Sequence, residues 1–173
     1  MPYTCADFDA LCARDAAAAL SECCSSRTWT ERLVQGRPYL SRAALLRASD
    51  AVTAALTRDD LAEALAGHPR IGERSDHASS KREQASVASA DAHIRDALVA
   101  GNRKYEERFG HVYLVRAAGR SADELLSILQ RRLTHDSETE WRETRAALAE
   151  INRSRLELLV TDDSVESGKE GVR

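Results

Sequence analysis

The chain lacks any run of roughly 18 apolar residues, which excludes an ordinary membrane-spanning helix. No positively charged and then apolar leader precedes its first helical pattern, and the closing Gly171-Val172-Arg173 is no peroxisomal address, so a cytoplasmic protein is expected. It also lacks an excess of basic charge: 25 basic residues stand against 28 acidic ones, for a net charge of −3. That balance argues against a nucleic-acid surface and leaves no nucleic-acid partner expected. Only three of the basic residues are lysines, which, with the abundant alanine, reads as a compositional bias rather than as a site. Cysteines are confined to positions 5, 12, 23 and 24, with no CxxC and no later cysteines to staple the fold, so reduced thiols are expected. The five histidines, His68, His77, His93, His111 and His135, form no HExxH and no compact ligand pair, and no metal site is expected from them. Strand-like patterning is nearly missing. Residues 111–115 (HVYLV) are the only β-like run, too short and isolated for a sheet, and read as an extended buried segment.

What remains is helical. A chain of 173 residues, 43% hydrophobic and 31% charged, can bury one sizeable core and carries no sign of a second domain. The expected fold is all-α: a single compact bundle of about six to eight helices with an active-site cleft, spanning 1–161, then a polar disordered tail over 162–173. In chain order, Thr4 and Asp7 open a helix running through Phe8, Leu11, Cys12 and Leu20 to about Ser25. Trp29 and Leu33 mark a short helical turn, broken at Gly36-Arg37-Pro38, and Ser41 caps a helix to about Leu56. Thr57 and Asp60 have capping-box spacing at the start of a helix that Gly67 stops. Ser80 and Glu83 repeat that spacing before a helix read through Val87, Ala90, Ile94 and Leu98 to Phe109, with Gly110 as a left-handed exit. Asn102, Tyr105 and Phe109 on that helix read as core packing plus one satisfied amide. Ser121 to Glu124 and Ser137 to Glu140 open the last two helices, ending near Leu133 and Val160.

Chemistry concentrates in residues 67–84, GHPRIGERSDHASSKREQ. His68 stands at a helix end, and the proline after it disfavours helical backbone, so a stiff extended segment presents the imidazole. An unperturbed imidazole titrates near pH ~6.5, suited to proton transfer at neutrality. The bland alternative, a surface or packed histidine, stays open on the tripeptide alone. On the far side, Gln84, Val87, Asp91, Ile94 and Leu98 share a stripe, which turns Gln84 inward with Glu83 beside it. Buried without partners, such groups would cost about 1–3 kcal/mol each, so protein groups or a ligand must satisfy them. The last helix adds an arginine on an apolar face, where Leu148, Ile151, Arg155 and Leu158 align. Its guanidinium either snorkels to solvent or meets an anion or carbonyl in a pocket.

These residues, in order, resemble the 2-oxo-4-hydroxy-4-carboxy-5-ureidoimidazoline (OHCU) decarboxylases of urate degradation. The pieces are Cys23-Cys24-Ser25-Ser26 with Trp29, Arg37-Pro38-Tyr39, His68-Pro69-Arg70-Ile71-Gly72, Ser80 with Glu83-Gln84, Asn102 with Tyr105 and Phe109-Gly110, and Arg155-Leu156. The segment from Gly72 to Ser80 is short, and Lys81 stands where a tryptophan is common. The resemblance implies a cofactor-independent carboxy-lyase that turns OHCU into (S)-allantoin. It implies His68 and Glu83 as catalytic residues. Substrate binding would fall to Pro69, Ser80, Gln84, the main chain of Tyr113, Leu114 and Val115, and Arg155. The expected partner is the small molecule OHCU, with no membrane, and a homodimer is compatible with the chain. A competing class is a non-enzymatic all-helical module that binds a small ligand, because periodicity does not separate the two.

Overall fold

The computed structural model describes residues 2–71, Val87 and residues 90–162. In chain order these form β1 (Tyr3–Thr4), α1 (Cys5–Ala10), α2 (Ala13–Ser21), α3 (Arg27–Gln35), α4 (Arg42–Ala54) and α5 (Arg58–Ala66). Then follow α6 (Ala92–Phe109), α7 (Ala122–Arg132), α8 (Ser137–Leu159) and β2 (Val160–Thr161). The fold is all-α. Its one strand pair, among the described residues, is parallel and two residues long, with Tyr3 opposite Val160, and ties the start of the chain to the end of α8.

Sequence patterning places most helix ends correctly because the caps are local. Thr57 accepts from Asp60 N while the Asp60 carboxylate takes the Thr57 N–H, and Ser121 and Glu124 do the same. Ser41 caps α4, and Gly110 leaves α6 at φ +75°, a region open to glycine at little cost. Four expectations need correction. The first helix is two, broken at Leu11–Cys12, because the Arg37 guanidinium takes the Phe8 and Leu11 carbonyls at 3.0 and 2.7 Å and satisfies an end that would otherwise be orphaned. The helix read from Ser80 to Phe109 is not continuous: Asp91 is extended at ψ 147°, and its carbonyl receives the Ile94 and Arg95 amides as the N-cap of α6. Asp136, not Ser137, caps α8, accepting from Thr139 N at 2.9 Å, so Glu140 is released from any capping role. Leu158 is 62% exposed, off the buried face that Leu148, Ile151 and Leu156 share. Residues 163–173 of the expected tail lie outside the described residues.

Two apolar cores result. The first gathers Phe8, Leu20, Trp29, Leu33, Leu45 and Leu61 against Leu148, Ile151 and Leu156 of α8. The second packs Leu98 and Tyr105 of α6 against Leu125 and Leu129 of α7, with Ile71, Val87, Tyr113 and Val115. Extended backbone points successive side chains to opposite sides. Residues 113–115 accordingly send Tyr113 and Val115 into the second core and Leu114 into the first. The expected buried segment is thus the seam between the cores, and α8 serves both: Glu140 and Thr144 meet α6 and α7, and its later turns meet α4.

Candidate active site

The site begins with a close approach of the Gly67 backbone to the Ser25 side chain. Gly67 ends α5 at φ −86°, so it is not there for left-handed backbone. It is there for space: a Cβ on Gly67 would stand 2.7 Å from Ser25 Cβ and closer still to its Oγ. The end of α5 therefore seats directly on the turn after α2. His68 follows with its N–H donated to Leu65 O at 3.0 Å and is 8% exposed, so it is neither a surface residue nor far from Ser25. Downstream the strand of chain is pinned twice. Arg70 forks onto both Glu106 oxygens at 2.5 and 2.9 Å, and Asn102 Nδ2 donates to Ile71 O at 2.7 Å. The Arg70 hydrogen bond also holds the Glu106 carboxyl below its usual range.

The same turn after α2 receives Arg155. Its Nη1 donates to Cys23 O at 3.0 Å, so the guanidinium neither snorkels freely nor lies across the bundle from His68. Burial pushes the neighbouring Cys24 thiol up. The Ser26 backbone, the Asn152 amide and the Arg155 charge pull it the other way. None of the four cysteines is in a disulfide: Cys5, Cys23 and Cys24 are buried, and Cys12 is exposed. The third group arrives through Arg116, whose Nε donates to Ser154 Oγ at 3.3 Å and brings the end of residues 113–116 beside the turn that carries Arg155.

The Gly67–His68 junction and Arg155 therefore both reach one turn, residues 23–26, and Arg116 ties the end of the Tyr113–Val115 segment to α8 at the residue before Arg155. Ser80, Glu83 and Gln84 lie outside the described residues. Among the described residues no group of three His, Cys, Asp or Glu side chains is placed to hold a metal ion.

A model of the family described as OHCU decarboxylase matches residues 9–157. The chain belongs to this family. Its relatives include a 2-oxo-4-hydroxy-4-carboxy-5-ureidoimidazoline decarboxylase of Haloferax volcanii, 26% identical over 70% of this chain and 73% of that protein. Two longer relatives are the uric acid degradation bifunctional proteins PucL of Bacillus subtilis (24% identical, 76% of this chain) and TTL of Arabidopsis thaliana (28%, 64%). The matches span 27% and 36% of those two proteins. The fold matches a crystal structure of OHCU decarboxylase in the presence of (S)-allantoin, with a TM-score of 0.73 and 21% identity over 80% of this chain and 94% of that one. It also matches a crystal structure of (S)-allantoin synthase, at a TM-score of 0.69 and 16% identity over 91% and 54% of the two chains.

One buried polar cluster in this OHCU decarboxylase family member lies outside the sequence-predicted site residues. Arg132 is 1% exposed and Glu140 0%, and they pair in the interior. Burial opposes the Arg132 charge, but the Glu140 hydrogen bond and carboxylate hold its pKa above the ordinary value. Tyr105 OH donates to the same Glu140 oxygen, and burial raises the Tyr105 and Tyr113 hydroxyl pKa values. A signal existed. Leu125, Leu129 and Arg132 share one face of α7, the same anomaly that drew attention to Arg155.

Proposed function

We propose that this protein decarboxylates OHCU and directs the product to (S)-allantoin in urate degradation. The observation that carries the proposal is that the Gly67–His68 junction and Arg155 meet at one turn, residues 23–26, with Arg116 tying the end of the Tyr113–Val115 segment beside Arg155, within a chain of this family. OHCU holds a hydroxyl and a carboxylate on one ring carbon beside a C=N bond. When the bond to the carboxylate breaks, CO2 leaves and the electron pair moves into that C=N system, so the electron sink lies within the substrate. The enzyme has to exclude water, stabilise charge gathering on the ring and place one proton on the neighbouring carbon. That proton sets the (S) configuration.

In this reading His68 takes the hydroxyl proton and returns one to the ring carbon. Glu83 holds the ring or ureido N–H groups. Ser80 and Gln84 complete the hydrogen bonds, Pro69 walls the site, and the main chain of Tyr113, Leu114 and Val115 receives the ring. Arg155 meets a ring carbonyl rather than the carboxylate: negative charge leaves the carboxylate during the step, so a cation clamped there would stabilise the ground state. No cofactor is needed. A cytoplasmic enzyme over residues 1–161, without nucleic-acid or membrane partners and compatible with a homodimer, completes the proposal. Among the described residues no helix is long and apolar enough to cross a membrane.

The test follows optical rotation as enzyme is added to freshly generated OHCU, with and without EDTA, against the spontaneous decay. Faster loss of OHCU with enantiomerically enriched (S)-allantoin, unaffected by EDTA, is expected. Racemic allantoin at the uncatalysed rate overturns the proposal, and restoration of lost activity by a metal overturns its cofactor independence.

A further inference from the structure

Residues 111–118 belong to no helix or strand, yet the centre of this stretch is buried. Backbone in such a place needs partners from elsewhere, and its position is only as well defined as those partners. The Leu114 carbonyl has one in Arg132, whose Nη1 donates to it at 2.6 Å. The remaining edge of that guanidinium is fully committed. Nε donates to Glu140 Oε1 at 2.8 Å, and Nη2 donates to the same oxygen and to Thr144 Oγ1 at 3.1 Å. The Tyr113 and Tyr105 rings, with centroids 5.0 and 5.8 Å from the guanidinium carbon and 5.2 Å from each other, pack together on one side of it. Glu140 Oε2 has its own partner in His135 Nδ1 at 3.1 Å. Hydrogen bonds therefore hold both edges of the guanidinium, and the paired rings restrict its tilt on the side they occupy.

A buried ion pair contributes little net stability over a well-packed apolar pair, because desolvation offsets the attraction. What this one supplies is direction: the planar fork of an arginine can hold a carboxylate on one edge and a carbonyl on the other. We propose that Arg132, oriented by Glu140 and Thr144, is a positioning residue that sets the Tyr113–Val115 main chain at the height and angle at which it meets the substrate. The inference rests on the decarboxylase reading and extends it from residues at the turn to a charge buried between α6, α7 and α8. A reacting ring misplaced by about 1 Å can lose about 10²-fold in rate, so a loosened carbonyl is enough for a large effect.

The deciding variant is Arg132→Lys, which keeps the charge and can still reach Glu140 but has no second edge for Leu114 O. Two readouts are taken: OHCU turnover, and amide hydrogen exchange across the chain. A stability control, Leu45→Ala, cuts a cavity in the first core, away from the seam. We expect kcat/KM to fall about 10- to 100-fold in Arg132→Lys, with exchange accelerated selectively in residues 111–118. Leu45→Ala should keep the native rate below its melting temperature, however much stability it loses. Should Arg132→Lys fail to fold, Thr144→Val removes one contact of Nη2 without stranding a charge, and should show the same two changes at about threefold. Native turnover in a folded variant, or exchange in 111–118 that stays at the wild-type rate, overturns the inference. Wild-type protein without OHCU turnover overturns the decarboxylase reading instead, and with it the catalytic part of this inference. The exchange measurement still decides whether Arg132 holds the segment.

Discussion

Substituting Gly67 tests the contact that carries His68 to the site. At φ −86° and ψ 0° the backbone suits alanine, so in open space Gly67→Ala would stabilise the protein by about 0.4–1 kcal/mol through the unfolded chain. The structure predicts the opposite sign. The new methyl would meet Ser25 Oγ, which a change of rotamer can move away, and Ser25 Cβ at 2.7 Å, which can move only with the backbone. Overpacking of this kind costs about 1–3 kcal/mol, which leaves a net loss of about 1–2 kcal/mol after the entropic gain. For a protein of this size that is a fall in melting temperature of about 2–8 °C. The same structure predicts the cure. Both offending atoms belong to the Ser25 side chain, and the next neighbour of the methyl is Ala64 O at 3.7 Å, an ordinary contact. Ser25→Gly should therefore rescue Gly67→Ala, with a coupling between the two sites of about 1–3 kcal/mol, the overpacking energy itself. The assay is urea and thermal unfolding of wild type, both single variants and the double. A Gly67→Ala protein at least as stable as wild type, or single effects that simply add, would refute the close approach and with it the seating of His68 on residues 23–26.

Three further outcomes follow from the site and its supports. His68→Asn keeps size and some hydrogen bonding but removes the titrating nitrogen, so turnover should fall by at least ~10² with circular dichroism unchanged; a near-native rate moves the proton donor elsewhere, with Glu83 next in line. Arg155→Gln should lower the maximal rate and also weaken binding of allantoin, which lacks the carboxylate but keeps the ring; unchanged allantoin affinity with only a raised KM would place Arg155 on the carboxylate instead. Hydrogen bonds from the Thr28 and Thr57 hydroxyls and the Thr57 N–H lower the Asp60 pKa below its usual 3.8. A carboxylate with a depressed folded pKa contributes its stability above the unfolded value and loses it as pH falls through the folded one. The gap in urea midpoint between wild type and Asp60→Asn should therefore be constant near neutrality and close below about pH 4; a gap that widens on acidification contradicts the cap geometry.

Local rules explain what could be read early. The Thr57, Ser121 and Ser41 caps and the Gly110 exit depend on three or four neighbouring residues, so residue order alone was enough to place them. His68 was legible because a proline follows it, and Arg155 because a charge on an apolar stripe needs a partner. The same rule applies to Arg132, which shares one face of α7 with Leu125 and Leu129. The break at Leu11–Cys12 could not be read this way, because what permits it is the Arg37 guanidinium, more than twenty residues further on. Asp91 offers the opposite case: its type suits an N-cap, but an uninterrupted apolar period masked it.

Sequence by itself determined that the chain is helical, where most helices begin, and which residue types could carry chemistry, since each of these is settled by periodicity or by a short-range hydrogen bond. Tertiary structure decided which of those residues meet. Seating Gly67 on Ser25, delivering Arg155 to the Cys23 carbonyl and hanging the Leu114 carbonyl from Arg132 join residues separated by 42, 132 and 18 positions. Such contacts exist only once helices have packed, because no local pattern encodes the distance between two backbones or the partner a buried charge will find.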